Sequence, residues 1–249
     1  MGATSEQTGA DDDEKPVHSV TLSNYYIGET EVTQELWMAV MGTKPSHFTG
    51  DVQRPVEQVS WDDCQTFISK LNALTGENFR LPTEAQWEFA ARGGNKSRGY
   101  LYSGSTWLDK VAWYGEISGG KTHAVKTKSP NELGLYDMSG NVWEWCHDWY
   151  GGYSSAAVTN PTGPASGANR VYRGGSWFSN ATSCRAAYRY SYTHGGRSFY
   201  LGGAPCFIVC KSSKLKRSER RTHRVKIRHA DREGRGASAP SRPRRHAAR

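Results

Sequence analysis

The chain has no apolar run near the roughly 20 residues that a membrane-spanning helix requires. Only five of its 249 residues are cysteines, and four are methionines. The first absence excludes a helical membrane span within the sequence. The cysteines, Cys64, Cys146, Cys184, Cys206 and Cys210, are odd in number and lack metal-ligand spacing, which argues against both a disulfide framework and a zinc-type cluster. The opening stretch, MGATSEQTGADDDEKPVHS, has no apolar signal core. Gly119-Gly120-Lys121-Thr122 lacks the full phosphate-loop pattern and reads as a turn. His147-Asp148 has no nucleophile placed beside it by spacing and reads as a structural hydrogen bond. No internal repeat of fixed period occurs.

A further absence is local. From Phe178 to Tyr200 there is no Lys, Glu, Asp or Gln, whereas four Tyr, two Phe, four Ser and two Gly are present. Tyr offers a large amphipathic contact at low entropy cost, and Ser, Gly and Asn adapt their hydrogen bonds, as in antibody-type contact surfaces. The segment therefore reads as a binding surface. Composition alone does not separate this from an ordinary Tyr-rich surface strand and loop.

The net charge of +8 is an uneven average. Residues 206–249 carry 15 Lys/Arg against Glu219, Asp231 and Glu233, so the remaining body is mildly acidic. The tail has few apolar residues, reads as disordered over 210–249, and would bind anionic surfaces or nucleic acid through counterion release. An incidental extension is the competing reading. Residues 1–16, polar and acidic, read as a flexible lead-in. Between these ends, three helices are expected: one capped by Thr33 and ended by Gly42, one opened by Ser60 with Asp63, and one opened by Thr83 with Gln86. Beyond residue 94 the chain is loop-rich with short strands, which gives an α+β domain.

Five blocks then occur in order: Tyr25 to Thr33 (YYIGETEVT), Pro55 to Trp61 (PVEQVSW), Arg80 to Glu88 (RLPTEAQWE), Asn131 to Trp145 (NELGLYDMSGNVWEW) and Arg173 to Trp177 (RGGSW). Over about Val17 to Gly202 the sequence resembles the formylglycine-generating-enzyme (sulfatase-modifying factor) family. The resemblance implies a C-type-lectin-like fold of that subclass, with short antiparallel strands and two or three helices, over residues 17–209. The family's oxidases use two cysteines just beyond the Gly-Gly-Ser-aromatic block to bind copper. Their places fall here on Ser179 and Cys184. A serine hydroxyl cannot supply the soft thiolate that Cu(I) needs, so the expected protein is not an enzyme. A cysteine oxidase with an altered thiol site is the alternative.

Within the family the chain is most similar to variable proteins diversified by retroelements. In these, adenine-directed mutagenesis rewrites a segment after Arg-Gly-Gly-Ser-Trp. All residues from Phe178 to Tyr200 lie in the set reachable from AAY codons. The implied ligand contacts are Phe178, Ser179, Asn180, Thr182, Ser183, Tyr188, Tyr190, Ser191, Tyr192, His194, Ser198, Phe199 and Tyr200. Arg173, Gly174, Gly175, Trp177, Arg185 and Arg189 form the implied framework. The departure from the family comes at Leu201-Gly202-Gly203-Ala204-Pro205, with Phe207-Ile208-Val209 left to supply a closing strand. The resemblance implies a bacterial, monomeric display protein, secreted or at the cell surface, whose partner is a protein or surface ligand. No cofactor is required. Calcium is the ion implied at Asn141 and Glu144 with nearby backbone carbonyls, an oxygen set that suits a hard cation. The competing reading has both residues hydrogen-bonding a tight turn among Trp143, Trp145 and Trp149.

Overall fold

The computed structural model describes residues 1–202 and the backbone of 208–209 and 227–230. Three helices start at local capping signals. In α1 (Gln34–Met41) the Thr33 hydroxyl accepts the Leu36 N–H, and Gly42 closes the helix at a φ of 71°. α2 (Trp61–Thr75) opens with a reciprocal Ser60/Asp63 box and ends at Gly76. α3 (Glu84–Ala91) opens with the same device from Thr83 and Gln86. Each box satisfies N–H groups that have no partner within the helix. A fourth helix, α4 (Leu108–Val111), is a single turn that no sequence cap announces.

The strands form three sheets. β1 (Val20–Thr21) pairs in parallel with β5 (Val158–Thr159). The second sheet has the order β10-β2-β9-β3, from Ile227–Ala230, Tyr25–Gly28, Ile208–Val209 and Phe79–Arg80. The expected closing strand is thus present at β9. Within the tail read as disordered, Ile227–Ala230 forms strand β10 against β2, and the rest of 210–249 lies outside the described residues. The third sheet has the order β7-β6-β4-β8, from Arg189–Thr193, Asn169–Arg173, Trp143–Trp149 and Leu201–Gly202. Its β4–β8 pair is parallel, so the strands are not antiparallel throughout.

This third sheet separates two cores, and its period of two sorts the side chains between them. Trp143, Trp145 and Tyr172 pack with α1 and α2 residues such as Trp37, Phe67 and Leu71. Cys146 and Val171 pack on the other side with Trp87, Ala90 and Ala91 of α3.

The N-terminal residues correct the sequence reading. They are not a flexible lead-in. Gln7 and Glu14 are buried, and the Gly2 N–H donates to Glu88 at 2.9 Å. Glu14 pairs with Arg185, with one bond of 2.7 Å. A buried carboxylate is tolerated where a cation and hydrogen bonds compensate it.

Candidate functional site

The segment begins at a double glycine. Gly174 and Gly175 have φ of 97° and 78°, and a Cβ on Gly175 would stand 2.6 Å from the Cys184 Sγ. Only glycine fits a left-handed conformation at such close approach. The turn is tied to the preceding loop by two bonds, from the Gly140 N–H to the Gly174 carbonyl at 2.8 Å and from the Trp177 N–H to the Asn141 carbonyl at 2.7 Å. Ser179 stays local. Its hydroxyl accepts the Ser176 N–H at 3.0 Å and meets the Ser176 hydroxyl. Asn180 likewise accepts from the Ser183 N–H and hydroxyl.

Burial then divides the segment in two. Of the thirteen implied contact residues, Phe178, Asn180, Thr182, Tyr190, Tyr192, His194 and Phe199 are exposed, while Ser179, Ser183, Tyr188, Ser191, Ser198 and Tyr200 are half-buried. The framework residues Arg173, Gly174, Gly175, Trp177, Arg185 and Arg189 are all buried, as is Cys184. The large rings are open to solvent: Phe178 is 69% exposed, Tyr190 53%, Phe199 42% and Tyr192 40%. Tyr188 and Tyr200 are different, since both lean on the α1/α2 core, and Tyr188 lies 6.0 Å from the Trp143 ring.

The framework arginines are held from behind. Arg189 donates to both oxygens of Glu84, and Arg173 pairs with Glu84 and Glu88 on the same helix. β7 is an edge strand whose register on β6 places Arg189 opposite Arg173 and Tyr190 opposite Tyr172. The strand therefore turns its arginine toward α3 and its tyrosines away. Its distal loop is held by the first turn of α2, where His194 meets Asp62 at 2.7 Å and Arg197 forms a double bond pair with Asp63 at 2.7 and 2.8 Å.

The exposed rings are joined through Trp177, which lies 5.4 Å from Phe178 and 5.9 Å from Phe199. Two residues of the 42–58 loop extend this aromatic surface and were missed in the sequence. Phe48 stands 5.1 Å from Trp177, and His47 stands 5.9 Å from Phe199. No local signal marks them, because the contact depends on the tertiary path of the loop.

The two positions implied for the oxidase chemistry carry no activated thiol. Cys184 is fully buried, and burial pushes its thiol up to about 12. Such a thiol is protonated near neutrality, whereas the thiolate is the reactive and metal-binding form.

The implied calcium residues divide as well. The Asn141 amide is committed as a turn residue: it donates to Glu31 at 2.6 Å and to the His123 carbonyl, and accepts the His123 N–H. These bonds fix the amide in the turn; they use its nitrogen and one of the two acceptor positions of its oxygen. Glu144 is buried, one oxygen accepts from Trp87, and the other has no partner. Asp137, absent from the sequence expectation, also has an unpartnered buried oxygen. Burial raises the carboxyls of Glu31 and Glu144 well above the usual range and that of Asp137 to about 6. Among these buried acids, the two unpartnered carboxylate oxygens are the donors of the type a hard cation takes. Asp137 and Glu144 are the residues that would face such an ion, while Glu31 is satisfied by Asn141 and the Val142 N–H. Its contribution there would be charge neutralisation.

Comparison with known proteins places this geometry. The sulfatase-modifying factor enzyme 1-like domain profile matches residues 1–202. A chaperone protein LppX from Paenibacillus barcinonensis is 37% identical over 68% of this chain and 75% of its own length. The formylglycine-generating enzyme of Streptomyces coelicolor is 38% identical over 67% of this chain, which spans 56% of that enzyme. Among solved structures, Treponema denticola variable protein 1 superimposes with a TM-score of 0.75 at 38% identity, covering 84% of this chain and 93% of its own. PvdO from Pseudomonas aeruginosa, at 24% identity and a TM-score of 0.72, shares the fold. The α+β architecture, the ordered blocks and the match across residues 1–202 show that the chain belongs to the sulfatase-modifying factor enzyme 1-like domain family.

Proposed function

We propose that this domain is a non-catalytic binding scaffold that displays residues 178–200 to a protein or surface ligand, and that a retroelement varies this segment. The observation that carries the reading is the division of burial. Every implied contact position reaches solvent, and every framework position between or beside them is buried and held by α3, the N-terminal residues or the 137–141 turn. Such a division lets the exposed contact side chains change at little cost to folding, because surface substitutions usually shift stability by less than about 0.5 kcal/mol, whereas Tyr188 and Tyr200 also pack on the core. Exposed Phe178, Tyr190, Tyr192 and Phe199 would supply most of the binding energy, as aromatic residues do at interfaces. The similarity to a variable protein supports this reading over the oxidase alternative, and so do the serine at 179 and the protonated thiol of Cys184. Secretion or surface display follows from the same reading.

The test is sequencing of the coding region for residues 170–210 across a population of the source cells. Substitutions confined to adenines of AAY codons between Phe178 and Tyr200 are expected. An invariant segment written in ordinary codons would overturn the diversification.

A further inference from the structure

The rings around Trp177 form one cluster, and part of it lies outside residues 178–200. Trp177 is buried and carries Phe178 at 5.4 Å, Phe199 at 5.9 Å and Phe48 at 5.1 Å. His47 joins them, 4.9 Å from Phe48 and 5.9 Å from Phe199. Phe178, Phe199 and His47 are exposed, and Phe48 is half-buried. The Tyr190 ring instead meets Tyr172, at 5.6 Å.

The 42–58 loop is fixed where it meets this cluster. Phe48 is held at both backbone groups: its N–H donates to the Glu57 carboxylate at 2.8 Å, and its carbonyl accepts from the Gln34 side chain at 2.8 Å. The Glu57 N–H donates to the Ser46 hydroxyl at 3.2 Å, and the Gln58 N–H donates to the Ser198 carbonyl at 3.1 Å, next to Phe199. None of these bonds uses a side chain of the displayed segment, so the loop keeps its place when that segment varies. A ring held before binding loses little freedom when a partner covers it.

The chemistry of the patch narrows its partner. Its rings carry no carboxylate, ammonium or guanidinium, and Glu57, which holds the loop, is buried. Polar groups that flank the rings in sequence are spent on the protein itself. The Trp177 indole donates to the Phe199 carbonyl, the Ser179 hydroxyl accepts the Ser176 N–H, and Asn180 accepts from Ser183. A sugar laid on this surface would leave hydroxyls against carbon, and a charged group would lose its water without a counter-ion. An apolar side chain meets neither cost, and aromatic residues that bury such a group carry most of the energy at protein interfaces.

We propose that the ligand is a protein loop that seats an uncharged apolar side chain on these rings, and that His47 and Phe48 are fixed contacts shared by chains that differ within 178–200. The inference rests on the display reading and names the chemistry of its partner.

The full chain is panned against a phage library of short disulfide-closed loops, in about 0.5 M salt so that attraction to the basic tail is screened. Selected loops are expected to share an apolar residue without a charged consensus. A synthetic peptide of the selected sequence should bind in calorimetry, and Phe48→Ala should weaken it about 10-fold. A charged or hydroxyl-rich consensus, or no selected loop, would overturn the apolar anchor. Binding that survives F48A but is lost in Tyr190→Ala/Tyr192→Ala would overturn the fixed contact and leave the display reading standing. Binding that survives both variants would overturn both. Should F48A lower the unfolding temperature, intermolecular NOEs to the parent chain decide. Contacts from the peptide's apolar side chain to the His47 and Phe48 rings support the proposal, and their absence refutes it.

Discussion

Arg189 and Glu84, 105 residues apart in sequence, face one another as a buried fork, with Nε and Nη2 donating to the two carboxylate oxygens at 2.8 and 2.7 Å. This pair fixes the inner side of β7 while Tyr190 and Tyr192 of the same strand remain outside. Removing one partner of such a pair leaves an uncompensated buried charge. Glu84→Gln is therefore expected to cost about 3 kcal/mol in urea unfolding, because Arg173 loses a neighbour as well. A loss below about 0.5 kcal/mol would show that the fork does not hold the strand.

The exposed and the leaning tyrosines should separate in a melting experiment. The double variant Tyr190→Ala/Tyr192→Ala is expected to melt within about 3 °C of the parent, since both rings are open to solvent. Tyr188→Ala and Tyr200→Ala each remove a ring packed on the α1/α2 core and should cost about 1–3 kcal/mol. Equal losses for all four would place Tyr190 and Tyr192 in the core and remove the display surface.

Asp137 gives a pH signature. Its carboxyl is raised from 3.8 to about 6 by burial, so folding favours the protonated form. Its stabilising effect is present in acid and is lost as pH rises through about 6. Asp137→Asn keeps an acceptor for the Lys126 N–H and tolerates the left-handed φ of 59°. In chelator, the variant should be more stable than the parent by about 2 kcal/mol at pH 8, with the gap closing towards pH 4. Calcium added at pH 8 should stabilise the parent and leave the variant unmoved, as read by differential scanning calorimetry. A calcium-insensitive parent would show that these acids hold no hard cation.

Cys184 should behave as a core residue. With its thiol at about 12 and no solvent access, iodoacetamide at pH 8 is expected to label it only after unfolding, as followed by mass spectrometry. Rapid labelling of the native protein would revive the oxidase alternative.

What was legible in the sequence was what is local. Thr33, Ser60 and Thr83 announce their helices because a cap and its partner lie within one turn. The Tyr-rich stretch could likewise be read directly, and the Arg-Gly-Gly-Ser-Trp block before it through the family resemblance. Glu14 could not. Its acidic surroundings resemble a solvated lead-in, and only Arg185, 171 residues further on, explains why it is buried. The turn role of Asn141, open in the sequence beside a metal role, takes its partner from Glu31, 110 residues earlier, which no spacing announces. His47 and Phe48 join the aromatic surface through contacts that spacing does not encode.

Trp177 donates its indole N–H to the Phe199 carbonyl at 3.0 Å, so the two ends of the displayed segment meet across 22 residues. The separation of the two ends is thereby fixed, and β7 between them has one register on β6. Spelling at the exposed positions of that span is free, but the number of letters leading into β7 is held by its register. A one-residue slip in β7 would turn every following side chain to the opposite face, carrying a ring to the Glu84 carboxylate and the Arg189 charge into solvent. The tolerated changes in this span are therefore substitutions, and a frame-preserving insertion between Arg185 and Arg189 would be read by the fold as damage.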